Sequence, residues 1–292
     1  MIRSTSHNAH AALLTILASG FAAGTTLLAK MLGTDTLGPS LHPLQISHGR
    51  FMFAFMAIAT VTTLLRMPIS RPDLRFHAAR SAFGWGGVTL MFAAAAFIPL
   101  SDATAISFLN PVFGMILAVV FLSERVGPVR WSAAAVAIVG ALILLRPTPS
   151  SFQPAALLAL GAALMLGCEL IFIKILTHRE KPLQILLINN LIGLLIASAA
   201  ASFVWHSPTA PQWVALAGIG FLMAAAQYSF TNAMMRGDAS FVAPFFYATL
   251  IFAALYDFAA FGVAPDQLSL IGMATILSGG GLLAWREARL KT

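Results

Sequence analysis

Cysteine is almost absent from this 292-residue chain: its one thiol, Cys168, lies inside an apolar run. That excludes an intramolecular disulfide and any metal site built on clustered thiolates, and Cys168 reads as a small packed residue. Charge is scarce too. Only 9% of residues are Asp, Glu, Lys or Arg, against about 25% in an average soluble domain. The sequence contains no Gly-x-Ser-x-Gly elbow, no His-Glu-x-x-His helix and no Walker lysine loop, so it lacks a hydrolase elbow, a zinc-peptidase motif and a built-in ATP engine. Of the histidines, only His48 lies near the interior of an apolar segment; His7, His10, His42, His77, His178 and His206 fall at ends or connections. An integral membrane enzyme would need a nucleophile–base pair or a metal cluster that these residues do not supply. No cofactor is implied.

What the chain has is apolar length. Hydrophobic residues make up 59% of it, with a mean hydropathy of +0.87. At about 20 residues per transmembrane helix, ten spans take about 200 positions. The rest, shared over two tails and nine connections, leaves no room for a soluble catalytic or receptor domain. The spans are expected at 10–32, 44–65, 78–98, 102–122, 128–145, 154–177, 183–205, 211–235, 240–262 and 267–285. Gly38-Pro39, Pro68 with Pro72, Gly127-Pro128, Pro147 with Pro149, Pro182, Pro208 with Pro211, and Pro265 punctuate them. The run Ala11–Ala29 exceeds a signal peptide's apolar core and leads straight into further spans, so it is expected to be an uncleaved first helix.

The net charge of +7 and pI near 10.3 would suggest nucleic acid in a soluble chain. Here position explains the excess. If the N-terminus is cytoplasmic, Arg3, Arg66, Arg71, Arg75, Arg80, Arg125, Arg130, Arg179, Lys181, Arg236, Arg286, Arg289 and Lys291 collect on one side. Those are thirteen of the seventeen basic residues, and the opposite connections hold only Arg146. The positive-inside rule then puts both termini in the cytoplasm of a multi-pass protein of a bacterial inner membrane. Lipid, not nucleic acid, is its surrounding partner.

The chain repeats itself. Ala11-Ala12-Leu13-Leu14 and Lys30-Met31-Leu32 recur as Ala155-Ala156-Leu157-Leu158 and Lys174-Ile175-Leu176 at an offset of 144. Asp102-Ala103 opens the fourth span as Asp238-Ala239 opens the ninth, and Pro128 precedes the fifth as Pro265 precedes the tenth. Five spans per half, 1–147 and 148–292, is an odd number, so the second copy enters the bilayer from the opposite side. The expected fold class is an all-α integral membrane protein of ten transmembrane helices in two inverted five-helix repeats, with a site near the midplane. One chain then holds both halves, and no obligate protein partner is evident.

The run Asp102-Ala103-Thr104-Ala105 through Asn110-Pro111-Val112-Phe113, then Phe121-Leu122-Ser123-Glu124-Arg125-Val126, resembles the repeat of the drug/metabolite transporter superfamily, EamA type. Trp131 through Gly140 fits the same pattern, as does Pro43-Leu44-Gln45 followed by Arg50. The resemblance covers nearly the whole chain. It departs at Tyr247-Ala248, where the family commonly has a proline, and at Phe261-Gly262, which replaces an acidic turn. It implies spans one to four and six to nine around a central cavity, with five and ten as peripheral scaffold. Its amino-acid exporter branch, including exporters of aromatic amino acids, is the most similar. The expected function is therefore a secondary transporter exporting amino acids or related small metabolites by alternating access. A broad drug or metabolite transporter, or an importer, on the same fold is the alternative; an integral membrane enzyme is remote.

Ionisable groups within spans are costly and face a cavity or a partner. Glu169, with Met165 and Phe172 on its face of the sixth span, has three readings: it holds a substrate ammonium, carries a proton, or pairs with Lys174 or Lys30. Lys30 and Lys174 occupy equivalent repeat positions near opposite faces, where snorkelling competes with binding a carboxylate. Asp257 is expected to be interfacial and hydrated, and Arg50 to be an anchor or structural pair. Among neutral residues the substrate-site candidates are Trp85 between Gly84 and Gly86, Phe108, Asn110, Phe172, Gln227, Tyr228 and Tyr247. Interhelical hydrogen bonding is the competing reading for each polar one.

Overall fold

The computed structural model describes residues 2–110, 112–114, 116–117, 128–145, 153–177, 179–236 and 248–289. Among these residues there is no strand, and ten helices have defined bounds: α1 (Ile2–Gly33), α2 (Pro43–Leu64), α3 (Leu74–Phe97), α4 (Leu100–Ser107), α5 (Pro128–Leu145), α6 (Ala156–Thr177), α7 (Pro182–Ala201), α8 (Ala210–Arg236), α9 (Ala248–Phe261) and α10 (Gln267–Arg289). Pro43, Pro128 and Pro182 each open a helix, where the missing N–H costs nothing. Most bounds match the expected spans within a few residues. The fourth does not: α4 stops at Ser107, a turn follows at 108–109, and helix resumes at 110. The sequence places a proline at 111, a residue type with no N–H for the carbonyl four positions back, which disfavours an unbroken helix through this stretch. The first part of the expected ninth span, 240–247, lies outside the described residues.

Four described stretches are long and apolar enough to cross a membrane by length and composition: His10–Gly33, Ala156–Ile173, Pro182–Ala201 and Ala210–Phe230. Large apolar side chains cover much of the outside, while polar and charged ones join the apolar core. Leu64, Leu195, Val214, Phe221 and Ile251 are exposed, while Gln45, Arg50, His77, Arg80 and Asn190 are buried. Apolar groups facing outward and polar groups facing inward suit a hydrocarbon solvent, and identify a multi-pass membrane protein.

The helices meet at small residues. A Cβ on Gly193 would sit 2.2 Å from the Phe51 ring, and one on Gly220 2.3 Å from Phe53 Cβ. One on Gly140 would lie 2.8 Å from the Gly272 carbonyl. Between the first five helices and the last five, the main pairings are α1 with α8 and α9, α2 with α7 and α8, α3 with α6 and α7, α4 with α6 and α9, and α5 with α10; α3 also packs on α1 and α2. The pairings between the two groups are unchanged when α1–α5 are exchanged in order with α6–α10, whereas the packing of α3 on α1 and α2 belongs to the first group.

Candidate functional site

Three charges share the interior. Glu169 on α6 faces Arg80 on α3, with Arg80 Nε 3.5 Å from Glu169 Oε1 and both side chains largely buried. Arg80 also donates from Nη1 to the Ile185 carbonyl of α7 at 3.2 Å, so one guanidinium joins three helices. Arg50 on α2 interacts electrostatically with Glu169 and with Arg80. Its side chain is buried, and among the described residues neither its Nε nor its Nη1 has a hydrogen-bond partner. Its guanidinium carbon lies 4.1 Å from the centre of the Phe51 ring. Gly84 makes the α3–α6 approach possible, since a Cβ there would stand 2.9 Å from the Glu169 carboxylate.

A neutral belt surrounds these charges. Ser81, next to Arg80, donates to Asn189 Oδ1 at 3.1 Å, and Thr89 donates to Ser47 at 2.9 Å. Asn190 donates to the Leu186 carbonyl and, at 3.5 Å, to Gln227 Oε1. Among the described residues, the buried Trp85 Nε1 and Asn190 Oδ1 also have no partner.

Beyond the belt, each end of the bundle carries an amide clamp. Gln45, in the first turn of α2, donates from Nε2 to the His206 carbonyl at 2.6 Å and accepts the His206 N–H at 3.3 Å. Gln184, in the first turn of α7, donates to the Ser70 carbonyl at 3.2 Å and accepts the Ser70 N–H at 2.8 Å. Each glutamine grips both backbone groups of one residue in the connection that follows the other clamp's helix. The Gln45 end adds Gln212, which donates to the Pro39 carbonyl at 2.7 Å. The Gln184 end adds charge: Glu180 meets His77 Nε2 at 2.9 Å, the Asp73 N–H at 3.0 Å and Gln184 Nε2 at 2.7 Å. Burial works against the charge on Glu180, but these hydrogen bonds outweigh it and hold its carboxyl below the usual carboxylate range.

A cavity of about 790 Å³ lies at the Gln45 end. Gly33, His42, Leu44, Thr89, Phe97 and His206 are among its lining residues. It is mostly apolar. Thr89 is its lining residue farthest from the α3 terminus, about 12 Å down the helix from Phe97 at 1.5 Å per residue. Through the Thr89–Ser47 hydrogen bond the cavity wall comes within one turn of Arg50 on α2.

The structure distributes the expected site residues unevenly. Glu169, Trp85 and Gln227 belong to the polar interior. Glu169 pairs with Arg80, not with Lys30. Lys30 does not snorkel: it is buried and bonded to Asp257 Oδ1, with Nζ 4.6 Å from the Phe261 ring centre. Asp257 is not hydrated at an interface either, being 1% exposed, with its second oxygen accepting the Leu100 N–H at the start of α4. The pair therefore ties α1, α9 and α4 together. Tyr228 continues the exposed stripe of Val214 and Phe221 at seven-residue spacing, away from the charges. Phe108 is packed in the apolar cluster of α3, α4, α6, α9 and α10. Phe172 stacks on Phe83 of α3 at 5.7 Å. Asn110 contributes its backbone carbonyl to the close contact with Gly167, two residues before Glu169. Lys174 lies on α6 with its side chain outside the described residues, and Tyr247 lies outside them altogether.

Arg50 and Arg80 are the interior groups that sequence reasoning undervalued, one as an anchor and the other as a cytoplasmic loop charge. A usable signal existed. Pro43-Leu44-Gln45-Ile46 recurs as Pro182-Leu183-Gln184-Ile185 at an offset of 139, which marks both glutamines and aligns Arg50 with Asn189.

Comparison with known proteins agrees with this architecture. The EamA-like transporter family matches residues 10–146 and again 153–285. A riboflavin transporter of Rhizobium johnstonii is 34% identical over 73% of this chain and 71% of its own length. An S-adenosylmethionine uptake transporter of Rickettsia bellii is 27% identical over 87% of each chain, and a pseudopaline exporter of Pseudomonas aeruginosa 25% identical over 77% and 82%. A solved crystal structure covers the chain end to end, and is itself fully covered, at 19% identity and a TM-score of 0.64, a likeness of fold.

Proposed function

The chain belongs to the EamA-like transporter family and is a multi-pass membrane transporter; from that premise we propose a secondary transporter that moves a small metabolite by alternating access between two inverted five-helix repeats, 1–147 and 148–292. The observation that carries this reading is the twin glutamine clamp. Equivalent residues close the two ends of the bundle, and the buried charges lie between them. Two neutral hydrogen bonds contribute about 0.5–1.5 kcal/mol each, so one clamp is worth about 1–3 kcal/mol. That is enough to bias a conformation and weak enough to open thermally. The exchange-invariant helix pairing supports the repeat, and its odd count of five supports ten spans with both termini on the arginine-rich side, cytoplasmic in a bacterial inner membrane.

Substrate and direction extend the family reading. The relatives' names divide between uptake and export, and an alternating-access site carries its load down whichever gradient is coupled to it. Export of amino acids and uptake of a larger metabolite are therefore two uses of one site. In the amino-acid reading, Glu169 receives an ammonium group.

The test uses the full chain in liposomes, with Cys168 replaced by alanine and a bifunctional thiol reagent bridging S70C to Q184C, or Q45C to H206C. Labelled riboflavin, S-adenosylmethionine and a panel of amino acids are offered with and without a pH gradient. Either bridge should stop transport, and reduction should restore it. Undiminished transport with both bridges in place would end the alternating-access reading.

A further inference from the structure

We infer that Arg50 is the substrate-anion receptor of this transporter, binding a carboxylate or phosphate group of a metabolite that enters through the apolar cavity at the Gln45 end; this rests on the transport reading above. Three observations converge on it. Charge balance comes first. Arg50, Arg80 and Glu169 interact in one buried region, and among the described residues two cations against one carboxylate leave one positive charge. A buried charge without a counter-charge is disfavoured, and a substrate monoanion restores neutrality.

Hydrogen-bond capacity comes second. Arg80 is ion-paired with Glu169 and donates from Nη1 to the Ile185 carbonyl, although its Nε, like the Arg50 donors, has no hydrogen-bond partner among the described residues. Arg50, 4% exposed, has no acceptor among the described residues for either Nε or Nη1. Nε borders one edge of the guanidinium fork and Nη1 the other, so each edge retains a free donor. A planar or tetrahedral oxyanion accepts a charge-assisted hydrogen bond from such a donor.

Access is the third. The cavity wall at Thr89 is bonded to Ser47, one turn from Arg50 on α2, and Trp85 with its own unpartnered Nε1 lies one turn from Thr89 on α3. The mostly apolar lining favours an apolar substrate body with its anionic end directed to Arg50. The Arg50 position in the second half holds Asn189, already bonded to Ser81. The repeat therefore supplies one anion receptor, not two, and a single substrate anion suffices.

The test measures binding to the purified full chain with matched probes that differ in one anionic group. The carboxylate pairs are L-tryptophan with tryptamine and S-adenosylmethionine with its decarboxylated form. The phosphate pair is riboflavin 5′-phosphate with riboflavin. In the wild type the anionic member of at least one pair should bind ten-fold or more tightly than its partner, and the pair that does so identifies carboxylate or phosphate. Arg50→Gln should bring that ratio close to one, and Arg50→Lys, which keeps the charge but not the fork, should leave it intermediate. Arg50→Gln/Glu169→Gln should not recover it. No discrimination within any pair in the wild type, an unchanged ratio in Arg50→Gln, or recovery in the double variant would overturn the proposal; the last would make Arg50 a mere counter-charge for Glu169. Should Arg50→Gln fail to fold, the wild-type ratio and Arg50→Lys still decide it. Anion-selective binding without transport in liposomes would sink the transport reading and leave the receptor standing. Transport without selectivity would do the reverse.

Discussion

The two ends of the bundle are built from one device and finished differently. At the Gln45 end the glutamine clamp is accompanied by neutral contacts, Gln212 on the Pro39 carbonyl and Thr209 on the Leu37 carbonyl. At the Gln184 end the same clamp sits in a charged cluster, where Glu180 binds His77 and Arg179 reaches Asp73 at 3.0 Å. The difference shows that the repeat dictates where the halves are tied, while local substitutions set how firmly and under what conditions each tie holds. The arginine-rich end depends on pH and ionic strength; the other end is governed by backbone geometry.

The strongest way to break this comparison is to disable what both ends flank. Glu169→Ala leaves the buried Arg80 without its counter-ion, a loss of about 3–5 kcal/mol for a severed buried pair. Thermal melting of the purified protein should drop sharply, and transport should be lost whichever end is closed. A melting temperature like that of the wild type would move Glu169 out of the shared interior.

Next in size is the pH response of the charged end. Because the folded-state pKa of Glu180 is depressed, its contribution is present above the ordinary carboxylate pKa of about 4.3 and is lost as pH falls through the lower folded value. Hydrogen exchange at residues 67–73 should accelerate on acidification, while exchange at 204–212 changes little. Glu180→Gln should remove the contrast. Equal acid sensitivity at the two ends would refute the asymmetry.

Single-clamp variants should give smaller and opposite effects. Gln45→Leu removes two hydrogen bonds, about 1–3 kcal/mol, and Gln184→Leu removes the equivalent two together with those to Ser70 Oγ and Glu180; the two variants should shift accessibility toward opposite faces. Thiol labelling of T209C and S70C reads this directly; the same direction in both variants would contradict the paired-gate reading. Tyr228→Phe should have the smallest effect, since the side chain is 54% exposed on an apolar stripe. Substrate affinity that shifts several-fold in this variant would bring Tyr228 back into the site.

Much of the architecture is legible in the linear chain because its causes are local. Apolar runs of helical length, prolines at their starts and arginines on one side are properties of neighbouring residues, and they mark most of the described helices, the fourth excepted. Even the offset between repeats has a readable cause. It falls from 144 at α1 and α6 to 139 at α2 and α7 because the connection 34–42 is five residues longer than 178–181. The site was less legible. Arg80 stands beside a basic connection and looks like part of it, and only the packing of α3 against α6 and α7 turns it inward. Lys30 and Asp257, 227 residues apart, each resemble an interfacial charge when considered alone.

Composition, periodicity and charge asymmetry thus determined by themselves that this chain is a helical membrane protein, because the bilayer acts on each segment separately: length, hydropathy and flanking charge suffice. The tertiary structure alone decided which charges meet, that Glu169 belongs to Arg80 and Lys30 to Asp257, and that Arg50 keeps donors in the interior without an acceptor among the described residues. Those outcomes depend on which helix faces which and at what rotation, and that is set by close approaches such as Gly84 on Glu169 and Gly193 on Phe51, between residues that no local pattern connects.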